Sequence, residues 1–599
     1  MESTSPAQLD TASQLETPAA SRHPLRWLFF PLALLYHELL LRAFDSGTVF
    51  FDAALAPTAL TALGLGLLIS LLANALPCRR VSRWAALILT LLWTVCVCVE
   101  YCCKSYFKSY FALTFMVTMT GHVVGDFAGT IPDVVLPRLP FTLLALVPPV
   151  LAIVLRRRIV PEVSMGRRGL LLLALLALLT LGGGDAVGRF DPSAALFTYD
   201  FNTNSAVPRF GLNTALRLEL TYAVTGVPTP PLEPLPEPDP EPEPTPVDYG
   251  YNRLDIDFTA LAESTGDSTL ASLHRYMAAR TPSRQNQYTG MFAGKNLILL
   301  TAESFSPWFI SQELTPTLYR LTHEGFVFSN YYQPGWGQST TGGEFAVLTG
   351  LLPTWVGGDV SFWASRYDYM PLALGNQFRA LGYQTPAWHN NTYNYYGRNA
   401  THPNLGYDYE GIGSGLTLAT QDSSWPYSDL EMLEATLDSC VDAYLTTGQP
   451  FHAYYMTVSG HGSYNWGQSM AAKNRAAAEA AYPNASAPVQ AYVAANLELE
   501  AALTYLVDQL ETRGIADDTV ICLSADHYPY ALAETGVDYY AELTGRQDSD
   551  LDTSRYRNAL ILWCGGMDQP VTVDTPCSAA DIVPTLSNLF GLRYDSRLL

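Results

Sequence analysis

The sequence predicts an α-helical membrane domain of five spans followed by an extracytoplasmic α/β domain. Three observations carry this prediction. Apolar runs of bilayer-crossing length crowd into residues 27–181. Basic residues collect in alternate connections between those runs. From about residue 253 onward, short strand-like apolar runs alternate with helix-like patterns. The composition agrees: 48% of 599 residues are hydrophobic and only 15% charged, a balance that the first third of the chain explains.

The candidate spans are 27–44, 53–76, 84–101, 134–155 and 169–181. The fourth is interrupted by Pro148 and Pro149, and the fifth is short. Arg22 and Arg26 precede the first span; Arg79, Arg80 and Arg83 fill the second connection; Arg156, Arg157, Arg158, Arg167 and Arg168 fill the fourth. The other connections hold few basic residues, mainly Lys104 and Lys108. This asymmetry places the tail 1–26 in the cytoplasm and everything after the fifth span outside. The first 20 residues are polar, so no cleavable signal peptide is expected. His37 and Glu38 lie inside the first span, where ionisable groups are costly. They read either as a lipid-headgroup or proton site, or as structural hydrogen bonds between helices. The connection 104–133, with Tyr106, Phe107, Tyr110 and Phe111, is expected to lie along the outer membrane surface.

A connector, 182–252, follows. Its segment 227–247, VPTPPLEPLPEPDPEPEPTPV, alternates Pro with acidic residues and should form an extended spacer of ~3.1 Å per residue. The net charge of −22 argues against a nucleic-acid partner, which requires a basic footprint. Of nine cysteines, Cys78, Cys96, Cys98, Cys102 and Cys103 lie in or beside the apolar runs. Cys440, Cys522, Cys564 and Cys577 are scattered through the soluble part, with neither disulfide-framework nor zinc-knuckle spacing.

In the region 253–599, the runs 296–300, 451–458, 519–523 and 558–563 read as strands of a mainly parallel sheet, and 485–514 reads as a helix. Glu303, His461 and the pair Asp526-His527 each follow such a run. In α/β folds the site lies beyond the carboxyl ends of strands. Two carboxylates and an imidazole suit manganese, magnesium or zinc.

The segment 315–350 reads TPTLYRLTHEGFVFSNYYQPGWGQSTTGGEFAVLTG. Its first half resembles the alkaline phosphatase and sulfatase superfamily; its second half, Ser339 to Phe345, resembles the lipoteichoic acid synthase pattern. HNNTYNYYGR at 389–398, SGHGSY around His461, SADHY around Asp526 and HELLLR at 37–42 match the same family in order. The resemblance implies a sulfatase-like fold for 253–599. It implies Thr340 as nucleophile, and Glu303, Thr340, Asp526 and His527 as ligands of one divalent ion, manganese first, with magnesium or zinc as alternatives. It implies His389, Tyr396, Arg398 and His461 as a phosphoglycerol pocket, with Arg398 holding phosphate oxygens. It further implies a multi-pass cell-membrane transferase that takes phosphoglycerol from a phosphatidylglycerol-like lipid. The acceptor is a glycolipid or a glycerophosphate polymer, reached through a phosphoglycerol-threonine intermediate. A phosphoethanolamine transferase, or a sulfatase- or phosphodiesterase-type hydrolase, is the alternative on the same scaffold; an inactive lipid-binding homologue is a third. Three departures stand out. Thr341-Gly342 replaces the family's Ser-Asp, which makes Thr341 the alternative nucleophile. Tyr396 stands where Trp is common. The chain stops at YDSRLL, where relatives continue, so a shortened terminus is expected.

Overall fold

A computed structural model describes residues 24–45, 50–76, 78–107, 110, 135–161, 165–198, 201–225, 249–356, 359–421, 425–533, 537–546, 553–567 and 569–598. Apart from 104–107 and 110, the aromatic connection 104–133 lies outside these residues, as do the Pro-rich segment 227–247 and most of the N-terminal tail. The chain divides into two compact units. The first comprises 1–98, 141–192 and 210–214; the second comprises 99–140, 193–209 and 215–599.

Among the described residues, five helices are long and apolar enough to cross a membrane: Leu25–Phe44, Leu55–Ala75, Arg79–Ser105, Leu136–Ile159 and Arg167–Arg189. The fourth is broken at Leu146, between Leu139–Ala145 and Val147–Ile159, one residue before the Val-Pro-Pro sequence. The fifth runs to Arg189, well past the end predicted at residue 181. Its three glycines, 182–184, lie inside the helix, and Gly184 does so for a packing reason. A Cβ there would lie 2.8 Å from Thr61 Oγ1, so the small residue permits close approach to helix Leu55–Ala75.

His37 and Glu38 both make structural hydrogen bonds. His37 Nε2 lies 3.0 Å from the Ala145 carbonyl of the fourth span. Glu38 accepts from the backbone N–H groups of Leu212 (3.0 Å) and Asn213 (2.6 Å) and from Asn213 Nδ2. It thereby caps helix Leu212–Thr225, satisfying donors that a helix N-terminus leaves open.

In the second unit, nine described strands form one sheet. In spatial order they are Val571–Val573, Phe326–Phe328, Ile561–Cys564, Thr519–Ala525, Asn296–Ala302, His452–Met456, Pro386–Thr392, Asp408–Ile412 and Gly415–Leu416. The run from Thr519–Ala525 through Asp408–Ile412 is parallel. Ile561–Cys564 pairs antiparallel with Thr519–Ala525, an exception within a mainly parallel sheet. Among the described residues, no sheet-crossing helix separates it from Thr519–Ala525: the helical segments between them, Tyr530–Ala533, Tyr539–Thr544 and Thr553–Tyr556, are short. A parallel neighbour requires a full crossover, usually a helix.

The central strand Asn296–Ala302 is buried along its whole length. Its alternation sorts the core. Ile298 and Leu300 pack with Leu499, Leu503 and Leu506 of helix Ala487–Thr512 and with Leu433 and Leu437 of helix Asp429–Thr447. Leu297 and Leu299 belong to the opposite cluster, with Val347 and Leu348 of helix Ser339–Thr349, Phe378 and Phe590. Because both faces are covered, the strands read as continuous apolar runs. The unit already includes residues before 253: Asn252 N–H donates to the Ser283 carbonyl, and Leu254 N–H donates to Asp595.

Candidate active site

Strands Asn296–Ala302 and Thr519–Ala525 are parallel and in register, with Ala302 level with Ala525. The residues that follow them, Glu303 and Asp526, therefore emerge side by side at one edge of the sheet. His527 comes next in the chain. Glu303, Asp526 and His527 are all buried, and their ligand atoms lie within 4.8 Å of one another. His527 Nε2 stands 3.2 Å from Asp526 Oδ2 and 3.6 Å from Glu303 Oε1.

The local bonding leaves one face of this trio for a cation. Asp526 Oδ1 accepts from Ser304 N–H (2.8 Å) and His527 N–H (2.7 Å), while its Oδ2 has no hydrogen-bond partner. His527 Nδ1 lies 3.0 Å from the Tyr528 carbonyl, which requires the proton on Nδ1 and leaves Nε2 as a lone-pair donor. That Nε2 is buried without a hydrogen-bond partner. Burial, then the Asp526 charge, pushes the Glu303 carboxyl well above its usual range. Two adjacent buried carboxylates with an orphaned oxygen and an orphaned imidazole nitrogen fit a divalent cation of the kind that oxygen and nitrogen donors hold.

Thr340 joins the trio from helix Ser339–Thr349, its Oγ1 donating to Glu303 Oε2 at 3.4 Å. Gly343 sets this approach. A Cβ on it would lie 1.8 Å from the Asp526 carbonyl oxygen, so only glycine lets the helix rest on that backbone. Thr341 Oγ1 instead donates to the Gln338 carbonyl at 2.9 Å.

His461 follows Gly460, where an added Cβ would lie 2.3 Å from the Glu303 carbonyl oxygen. The Tyr396 ring lies 5.5 Å from the Arg398 guanidinium. His389 pairs in register with Met456, which pairs with Thr301; it is thus two strands from the central strand and two residues short of Glu303 in level. Burial, then Arg398, holds its imidazole neutral, well below the ordinary range. Its Nδ1 lies 2.9 Å from the Met456 carbonyl, so Nε2, buried and without a partner, is an acceptor. Arg398 pairs with Glu344, with Nη2 2.9 Å and Nε 3.1 Å from that carboxylate and both side chains fully buried. A buried guanidinium requires a paired anion, and the Glu of the Glu-Phe motif supplies one.

Several participants carry no strong sequence signal. Ser304 Oγ donates to Glu303 Oε1 at 2.8 Å, Glu303 N–H donates to Thr457 Oγ1, and Gln333 Nε2 donates to the Asp526 carbonyl. The Tyr530 hydroxyl meets Ser339 Oγ. Among the described residues, the non-glycine positions with left-handed φ are Ser304, Trp336, Ser339 and Tyr396. Ser304, Ser339 and Tyr396 adjoin or form the site, where strain of about 1–3 kcal/mol per residue is characteristically held.

Residues 295–592 match the Sulfatase family. The lipoteichoic acid synthase-like protein YvgJ of Bacillus subtilis is 22% identical over 348 residues, covering 56% of this chain and 54% of that protein. The lipoteichoic acid synthase of Staphylococcus saprophyticus is 24% identical over 349 residues, covering 56% and 51%. The match thus spans about half the length of these curated relatives. Among solved structures, the lipoteichoic acid synthase LtaP from Listeria monocytogenes aligns at 20% identity and a TM-score of 0.44, covering 53% of this chain and 77% of that chain. Residues 295–592 thus form a sulfatase domain, and the curated proteins that the chain resembles include lipoteichoic acid synthases.

Proposed function

We propose that the protein is a membrane-bound phosphoglycerol transferase of the lipoteichoic acid synthase type, with its catalytic domain outside the cell membrane. The observation that carries this reading is the buried trio Glu303, Asp526 and His527 with the Thr340 hydroxyl against its carboxylate. Glu303, Asp526, His527 and Thr340 would hold one divalent ion, manganese by preference. When bound, such an ion supplies Lewis-acid polarisation of phosphate oxygens and lowers the pKa of a bound hydroxyl.

Thr340 Oγ1 attacks the phosphorus of a phosphatidylglycerol-like donor. A P–O bond to threonine forms, the P–O bond to diacylglycerol breaks, and the threonine proton ends on the departing diacylglycerol oxygen. An acceptor hydroxyl, on a glycolipid or a glycerophosphate polymer, then displaces threonine and returns a proton to Oγ1. One phosphodiester replaces another, so no external energy source is required. His389 Nε2, an acceptor, suits a glycerol hydroxyl, and Tyr396 and His461 wall the headgroup beside the trio. Arg398 contributes its positive field at His389 and Tyr396.

The test is fluorescent phosphatidylglycerol and phosphatidylethanolamine, supplied separately to metal-stripped full-length protein. Manganese is expected to restore diacylglycerol release from phosphatidylglycerol, but not in Asp526→Ala. Release from the ethanolamine lipid alone would overturn the phosphoglycerol assignment, and water as sole acceptor would make the protein a hydrolase. The orientation rests on the basic residues of the second and fourth connections. Protease added to spheroplasts should cut near 227–247 and release the catalytic domain; protection until lysis would reverse the topology.

A further inference from the structure

Asp429 opens helix Asp429–Thr447, is 1% exposed, and touches none of the catalytic or metal-trio side chains described above. Its carboxylate nevertheless collects donors from two separate segments. Oδ1 accepts from Asn390 Nδ2 at 2.8 Å, from Val458 N–H at 2.9 Å and from Ser459 N–H at 3.2 Å. Oδ2 accepts from Ser459 Oγ. Asn390 is the residue after His389; Ser459 lies two residues before His461. One carboxylate thus joins the strand that carries the first pocket histidine to the loop that carries the second.

We infer that Asp429 is a positioning residue that sets the spacing of His389 and His461, and through it the geometry of the headgroup pocket; this rests on the pocket reading above. The carboxylate is itself held from behind. It lies in the first helical turn, where the backbone's positive end favours an anion. The N-cap, Ser428, accepts from Glu431 N–H and donates to buried Glu498, which also receives Lys473 Nζ at 2.8 Å. Gln468 Nε2 braces the same loop through the carbonyls of Ser459 (2.8 Å) and His461 (3.2 Å). Four donors on a buried carboxylate satisfy it fully and leave no slack between the two segments. The bonding pattern asks for an oxygen that accepts three N–H groups and for a partner to the Ser459 hydroxyl. An amide provides both, since its NH₂ can donate to that hydroxyl; alanine provides neither.

The experiment uses the full chain in detergent with manganese. Asp429→Ala should lower kcat/KM for phosphatidylglycerol by about 100-fold, mainly in kcat, as a misplacement of about 1 Å in substrate-positioning groups does. Asp429→Asn should restore near wild-type turnover. A second readout needs no substrate: carbethoxylation of individual histidines by diethyl pyrocarbonate, followed by peptide mass spectrometry. Buried His389 should become reactive and the His461 rate should change in Asp429→Ala, with exposed His323 unchanged as the control and with both reverted in Asp429→Asn. Wild-type labelling rates at both histidines in Asp429→Ala would overturn the inference, as would failure of Asp429→Asn to restore them. Should Asp429→Ala not fold, Ser459→Ala removes one arm, and it must alter His461 labelling without exposing His389; equal response of the two would count against the inference. If wild-type protein is inert toward phosphatidylglycerol, the substrate reading fails and the labelling rates alone decide the role of Asp429.

Discussion

Thr340→Ala is expected to lower kcat by at least about 10⁴-fold, because it removes the covalent step rather than slowing it. The fold should persist. Thr340 gives up one hydroxyl whose bond to Glu303 Oε2 is long, at 3.4 Å, and alanine is the best helix former for that position. Thr341→Ala is the control. Its hydroxyl bonds the Gln338 carbonyl within its own turn, so its loss should cost about 1 kcal/mol of stability and leave turnover close to wild type. The measurement is diacylglycerol release, together with intact mass of the protein quenched during turnover. Wild-type protein should carry one phosphoglycerol group on the peptide containing Thr340, and Thr340→Ala none. Retained turnover in Thr340→Ala, with loss in Thr341→Ala, would move the nucleophile one residue along.

Glu344→Gln should destabilise the sulfatase domain by about 3–5 kcal/mol, the cost of leaving a buried charge without its partner. Glu344 and Arg398 are both fully buried, and the carboxylate also receives the Tyr454 hydroxyl at 3.2 Å and faces His402 Nε2 at 3.4 Å. Burial pushes the Glu344 carboxyl up; Arg398 and then His402 outweigh it and bring it down to about 2. A carboxyl depressed on folding contributes its stability in full above the unfolded value near 4.5 and loses it as pH falls through about 2. The gap between wild type and Glu344→Gln should therefore be complete at neutral pH and close between about pH 4.5 and pH 2. Urea midpoints followed by tryptophan fluorescence measure it. The double variant Glu344→Leu with Arg398→Met should recover much of the loss, since replacing both ions leaves no orphan. A Glu344→Gln midpoint equal to wild type at neutral pH would show that the pair does not hold the fold.

The residues legible in the sequence share one physical property. Glu303 and Asp526 directly follow strands buried on both faces, so an uninterrupted apolar run announces each of them. Thr340 was legible only through motif resemblance, since a buried helix such as Ser339–Thr349 has no polar face to reveal its period. Glu344, Tyr530 and Asp429 were not legible for the contacts they make, because their partners lie far off in the chain. Asp429 meets Ser459 at a separation of 30 residues, and Glu344 meets Arg398 at 54. No periodicity encodes such a meeting; it exists only once strands and helices are assembled. The fifth span's far end was not legible either: Gly184 sits against Thr61 of a neighbouring helix, a contact no pattern in the sequence announces.

Glu38 has a consequence for how the chain is made. Its capping partners at Leu212 and Asn213 lie 174 and 175 residues downstream. At synthesis rates of about 5–20 residues per second, the first span leaves the ribosome roughly 10–35 s before they do. During that interval a carboxylate that ends fully enclosed has no helix end to cap. The insertion machinery must keep it wet or shielded, and the first span settles into its final place only when the chain beyond the fifth has been translated.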